Sequence, residues 1–121
     1  MVVLVLVGGA SGAVLRYWIG LLLLSRPGVF PWGTFVVNVS GSLIAGGAAG
    51  AVAATSGPAW VLTLVGVGFC GALTTFSAFG YETVRLLEET AMRAAGLNVI
   101  TSLAVASAGC AAGWALATAL V

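Results

Sequence analysis

No charged side chain occurs between Arg26 and Glu82, and none follows Arg93. Stretches this long and this apolar cannot all be hidden inside a chain of 121 residues, so their surface must face something equally apolar. A helix needs about 20 apolar residues to cross a hydrocarbon core of roughly 30 Å. After short loops the chain has room for four such crossings and nothing more. Composition agrees. Hydrophobic residues make up 61% and charged residues 6%, where a soluble domain carries about 25% charged. Binding to nucleic acid is not expected: the net charge of +1 says nothing about it, and the four arginines form no basic patch.

The expected fold is an all-α membrane protein with one four-helix transmembrane domain over residues 1–121. Spans are expected at roughly residues 2–24, 33–54, 59–87 and 97–120. The N-terminal run lacks a positive leader and continues past any plausible cleavage site, so it reads as the first span and not as a signal peptide. Arg26, Pro27, Gly28 and Pro31 supply turn chemistry after it, and Thr55-Ser56-Gly57-Pro58 closes the second. Trp18, Trp32 and Trp60 fall near span ends, where interfacial aromatics anchor. The charged stretch from Glu82 to Arg93 spaces Glu82/Arg85, Arg85/Glu89 and Glu89/Arg93 as helical ion pairs would be spaced.

Mostly small faces recur along three spans: Gly8, Gly12 and Gly20 in register with Arg16 in the first, and Ser42, Gly46 and Gly50 in register with Asn38 in the second. In the fourth, Asn98, Thr101, Ser102, Gly109 and Gly113 share a face. Such faces let helix backbones approach closely in lipid. The third span is too long for a plain crossing, and its centre, Gly71-Ala72-Leu73-Thr74-Thr75-Phe76-Ser77, mixes a glycine with three hydroxyls. A helix break near 71–77 is expected there, lining a cavity or holding a ligand. A continuous tilted helix whose hydroxyls bond back to their own turn is the other reading.

The polar inventory within the spans is short: Arg16, Asn38, Thr74, Thr75, Ser77 and the hydroxyls of the fourth span. With no histidine and no paired acids, hydrolytic catalysis has no machinery, so an enzyme is not expected. No carboxylate lies mid-span for proton coupling, and Cys70 and Cys110 lack metal-ligand spacing. Two motif matches fail on context: Gly66-x-Gly68-x-x-Gly71 follows no strand, and Asn38-Val39-Ser40 lies mid-membrane. Hydrogen-bond donors, aromatic edges and one positive charge remain, and these suit passage of an anion. Phe76 and Phe79 point the same way on a helix, and aromatic rings carry a positive edge. The same spacing also describes ordinary core.

Four blocks together resemble the Fluc/CrcB fluoride channel family. They are Gly8-Gly9-Ala10-Ser11-Gly12-Ala13 with Arg16-Tyr17; Gly33-Thr34-Phe35-Val36-Val37-Asn38 with Gly41; Gly68 through Phe79; and Glu82 three positions later. The resemblance implies an antiparallel dual-topology dimer with two fluoride pores, a multi-pass protein of the cell (plasma or inner) membrane that passively drains fluoride from the cytoplasm. It also implies residue roles. Phe76 and Phe79 match the paired pore phenylalanines, and Asn38 the pore asparagine. Thr75, Ser77 and Ser102 are candidates for a hydroxyl track. Arg16 and Glu82 fall at an aqueous vestibule. Gly71 and Thr74 match positions whose backbone carbonyls hold a structural sodium ion at the dimer axis. Ala78 and Gly80 depart from the family, each standing where a hydroxyl is common.

Alternating spans would place Arg26, Arg85 and Arg93 on one side and no arginine on the other. Arginine favours the cytoplasmic side, so the bias points to unequal insertion. It leaves open either a homodimer or a heterodimer with an oppositely oriented paralogue, in which this chain could be the non-conducting subunit. A small four-span multidrug-type exporter is the rival of another class, and it would need an acidic residue where the first span has Arg16.

Overall fold

Backbone groups in hydrocarbon must be satisfied within the chain, which favours helices throughout. The computed structural model describes residues 1–121 and contains no strand. Helix α1 is Val2–Leu22 and α2 is Trp32–Thr55. Helix α3 covers residues 62–73, π-helical over Leu62–Cys70 and α-helical over Gly71–Leu73. Two residues of extended backbone, Thr74 and Thr75, separate it from α4, Phe76–Glu88. The chain ends in α5, Met92–Leu120. Taken with α3 and α4 as one rod, four helical stretches of 21, 24, 27 and 29 residues are long and apolar enough to cross a bilayer.

The ends of these rods have local causes. Helix α2 stops where Ser56 turns left-handed, and the Gly57 N–H then bonds the Val52 carbonyl at 3.0 Å. Between α4 and α5, Thr90 has φ 59° and only Glu89–Ala91 intervene. This tight reversal starts α5 at Met92, more than a turn ahead of Leu97, and brings Arg93 into its first turn. It also corrects one expected ion pair. Glu89 caps the end of α4 while Arg93 lies in α5, and they form no salt bridge, whereas Arg85 pairs with both Glu82 and Glu89.

Packing follows the glycine faces. Helix α2 lies along α5 so closely that a Cβ on Gly46 would run into the Cys110 carbonyl, and one on Gly113 into the Leu43 carbonyl. Helix α1 meets α3 in the same way, with Gly8 against the Leu64 carbonyl and Gly12 against the Phe69 carbonyl. Gly41 of α2 leaves room for the Thr74 methyl. Only 15 of 121 residues are buried, while Leu22, Ile100 and Leu120 stand largely exposed. Such an apolar exterior fits hydrocarbon as the solvent.

Because its neighbour is backbone, Gly113 has nowhere to put a methyl group. Gly113→Ala is expected to cost about 1–3 kcal/mol, as overpacking does, and to lower the melting temperature in detergent. At Gly96 a Cβ meets nothing within 4 Å, so Gly96→Ala should leave melting unchanged or raise it.

Candidate functional site

The extended pair between α3 and α4 strips two backbone groups of their helical partners, and one side chain replaces both. Asn38 Nδ2 donates to the Thr75 carbonyl at 3.0 Å, and the Thr75 N–H donates to Asn38 Oδ1 at 2.7 Å. The amide thus acts as a short piece of neighbouring strand. Thr75 also starts α4, its Oγ1 accepting from the Ala78 N–H at 3.1 Å, the cap a helix N-terminus favours. On the α3 side the Thr74 N–H and hydroxyl both bond the Cys70 carbonyl. The Thr74 carbonyl receives no backbone hydrogen bond, and the N–H that would have reached the Gly71 carbonyl along an α-helix goes to Asn38 instead.

Two clefts meet at this interruption. The outer one, about 740 Å³, is lined by Arg16, Ser25, Thr34, Thr75, Ser77 and Glu82 among others. The inner one, about 260 Å³, is lined by Asn38, Thr74, Thr75, Phe76, Phe79 and Ser102, with Ser42 and Ser107. Thr75 alone borders both. The geometry therefore divides the expected site residues. Phe76, Phe79, Asn38 and Ser102 come together, whereas Ser77 joins Arg16 and Glu82 on the other side, 3.3 Å from Thr75 through the two hydroxyls. Gly71 borders neither cleft and is exposed. Ala78 borders the outer cleft and Gly80 neither.

The phenylalanine rings lie 5.7 Å apart at 42°. Phe76 is 81% exposed, projecting from the bundle's own surface. The inner cleft contains hydroxyls, an amide and aromatic rings but no ionisable group. Arg16, in the outer cleft, makes no salt bridge.

Behind Ser102 stands a polar relay that the sequence reading did not assign. The Thr83 hydroxyl donates to the Phe79 carbonyl at 2.9 Å and accepts from Asn98 Nδ2 at 2.9 Å. That fixes the amide's direction, so Asn98 Oδ1 accepts from the Ser102 hydroxyl at 3.2 Å. Ser102 turns lone pairs to the cleft, and it can donate to an anion only by leaving Asn98. Asn98 is fully buried. Its place among the small residues of the fourth span marked a packed face, but its partner Thr83 lies on another helix. Ser42 was similarly visible, one turn beyond Asn38.

The sequence profile of the family described as "CrcB-like protein, Camphor Resistance (CrcB)" matches residues 3–114. The chain belongs to the CrcB-like family. Among its relatives is a Frankia casuarinae protein named "Fluoride-specific ion channel FluC 1", 49% identical over 97% of this chain and 95% of that protein. A Thermobifida fusca protein of the same name is 47% identical over 91% and 93%. A Shewanella amazonensis protein named "Fluoride-specific ion channel FluC" is 50% identical over 79% and 78%. The relationship thus spans all four rods of this CrcB-like chain.

In the CrcB-like chain, Asn38→Ala leaves both Thr75 backbone groups without a partner, at about 1–3 kcal/mol for an unsatisfied buried group. Hydrogen exchange in the peptide spanning residues 70–80 should accelerate well beyond that of α2 or α5. Asn38→Asp, which keeps the acceptor and loses the donor, should fall between Ala and wild type.

Proposed function

We propose that this chain is a channel subunit passing fluoride selectively and passively out of the cytoplasm across the cell membrane. The observation that carries the reading is the pair of clefts joined at Thr75, set beside relatives named as fluoride-specific ion channels. An anion entering past Arg16 would meet Ser77 and Thr75, then the inner cleft with Phe76, Phe79 and Ser102. Positive ring edges, and hydroxyl protons where Ser102 turns from Asn98 to the ion, replace water in the inner cleft without a fixed charge to trap it. No titratable group interrupts the inner cleft, which fits passive flow. An exporter of the multidrug type finds no support, because α1 carries Arg16 and no acid.

The assembly in this reading is an antiparallel dimer, in which a partner copy covers Phe76 and the exposed face around Gly71. Na+ would sit at the dimer axis, held by the carbonyls of Gly71 and Thr74. Those oxygens fit a hard cation, since the Thr74 carbonyl lacks a backbone donor and the C-terminus of α3 carries negative dipole. A sodium ion there supplies charge compensation for facing helix ends. The arginine bias of one side leaves an oppositely oriented paralogue open as partner beside a homodimer. Relatives numbered "FluC 1" and "FluC 2" are compatible with paired copies.

Fluoride-loaded liposomes, charge-balanced by a cation ionophore and followed with a fluoride electrode, test the proposal. The purified chain should release fluoride rapidly and retain chloride, and Phe76→Ile should slow release at least about 10-fold, roughly 1.4 kcal/mol on the barrier. No release from the chain alone, restored by a paralogue, would assign it the heterodimer role. No release in either case would sink the reading. Melting temperature should rise in sodium relative to N-methylglucamine, as for any ligand of the folded state.

A further inference from the structure

We infer that Arg85 is a positioning residue of the ion path, holding and neutralising the carboxylate that the outer cleft would otherwise present to an anion. The inference rests on the fluoride reading above. Glu82 is in the wall of that cleft, and an uncompensated carboxylate there would repel the ion that Arg16 attracts. Arg85 does not border the cleft, yet it reaches Glu82 Oε2 twice, from Nε at 2.9 Å and Nη2 at 2.6 Å. Ser25 Oγ donates to the other oxygen at 3.1 Å. The remaining guanidinium nitrogen, Nη1, contacts Glu89 Oε1 at 3.3 Å and the Arg26 carbonyl at 3.4 Å.

An i,i+3 pair on a helix surface is commonly incidental and contributes little. This one differs in two ways. Its side chains are only 17% and 12% exposed, so solvent screens them weakly. It is also tied across the fold, because Ser25 and Arg26 belong to the connection after α1, as does Gly28, whose N–H donates to Glu89 at 2.6 Å. Arg85 therefore fixes where the carboxylate points as well as cancelling its charge. Arg16 and Glu82 are the charged residues of the cleft wall, and without Arg85 to offset the carboxylate they cancel. The charge of Arg16 then no longer sets the sign of the cleft.

Fluoride efflux from liposomes, measured at about 0.01 M and about 1 M impermeant salt, where the Debye length is ~30 and ~3 Å, separates this role from a purely structural one. Arg85→Gln should release fluoride about 5- to 10-fold more slowly than wild type at low salt and within about 2-fold at high salt. Arg85→Lys, which keeps the charge without the fork, should stay within about 3-fold of wild type. The double variant Glu82→Gln/Arg85→Gln restores the net charge and should recover most of the loss. A deficit indifferent to salt, a double variant as slow as Arg85→Gln, or an Arg85→Gln rate equal to wild type at low salt would each overturn the inference. Should Arg85→Gln fail to fold by gel filtration, the double variant decides, since a slow double variant contradicts the charge argument. Wild-type protein that conducts beside an unrescued Arg85→Gln removes only this inference, whereas silent wild-type protein, alone and with a paralogue, removes the fluoride reading with it.

Discussion

The Asn38 amide against the Thr75 backbone is the contact on which the rest of this structure turns. An extended residue within a membrane span exposes one donor and one acceptor that lipid cannot satisfy, each at a cost of several kcal/mol in hydrocarbon. A carboxamide carries its donor and its acceptor on separate atoms, so one side chain meets both at once. With both oxygen and nitrogen engaged, Asn38 satisfies the Thr75 N–H and carbonyl where α3 ends and α4 begins, and leaves the Thr74 carbonyl without a backbone donor. The two clefts, the Thr75 cap on α4 and the placement of Phe76 and Phe79 all follow from that separation.

Holding the amide in register is the task of close backbone packing. Asn38 sits on α2, and α2 is fixed against α5 through Gly46, Gly50 and Gly113, where carbonyl oxygens occupy the space of missing side chains. Helix α5 in turn bonds α4 through Asn98 and Thr83. The path therefore runs from α2 to α5 to α4 and returns through Asn38 to Thr75, a closed ring of contacts around the inner cleft. Such a ring resists shear because each helix is located by two others.

Much of the architecture was legible before any coordinates. The absence of charge from Pro27 to Tyr81 and after Arg93 forces membrane-length rods, and i,i+4 glycines name the faces that pack. The resemblance singled out Asn38, Phe76, Phe79 and Thr75, but gave Asn38 the role of lining a pore and said nothing of its grip on backbone. Partners 37 positions apart along the chain cannot be inferred from spacing. The Asn98 relay stayed hidden for the same reason. Helical periodicity also misled at Glu89 and Arg93, because it assumes one continuous helix, and the left-handed Thr90 ends α4 between them.

Thr75 is the only residue that borders both clefts, and this shared wall has a consequence for how free energy is distributed along the route. The lining of the outer cleft and that around the phenylalanines have no other residue in common. Substitutions at well-separated sites combine additively, and those sharing a partner do not. On the fluoride reading, Thr75 is therefore the residue at which changes to capture and changes to passage couple most directly.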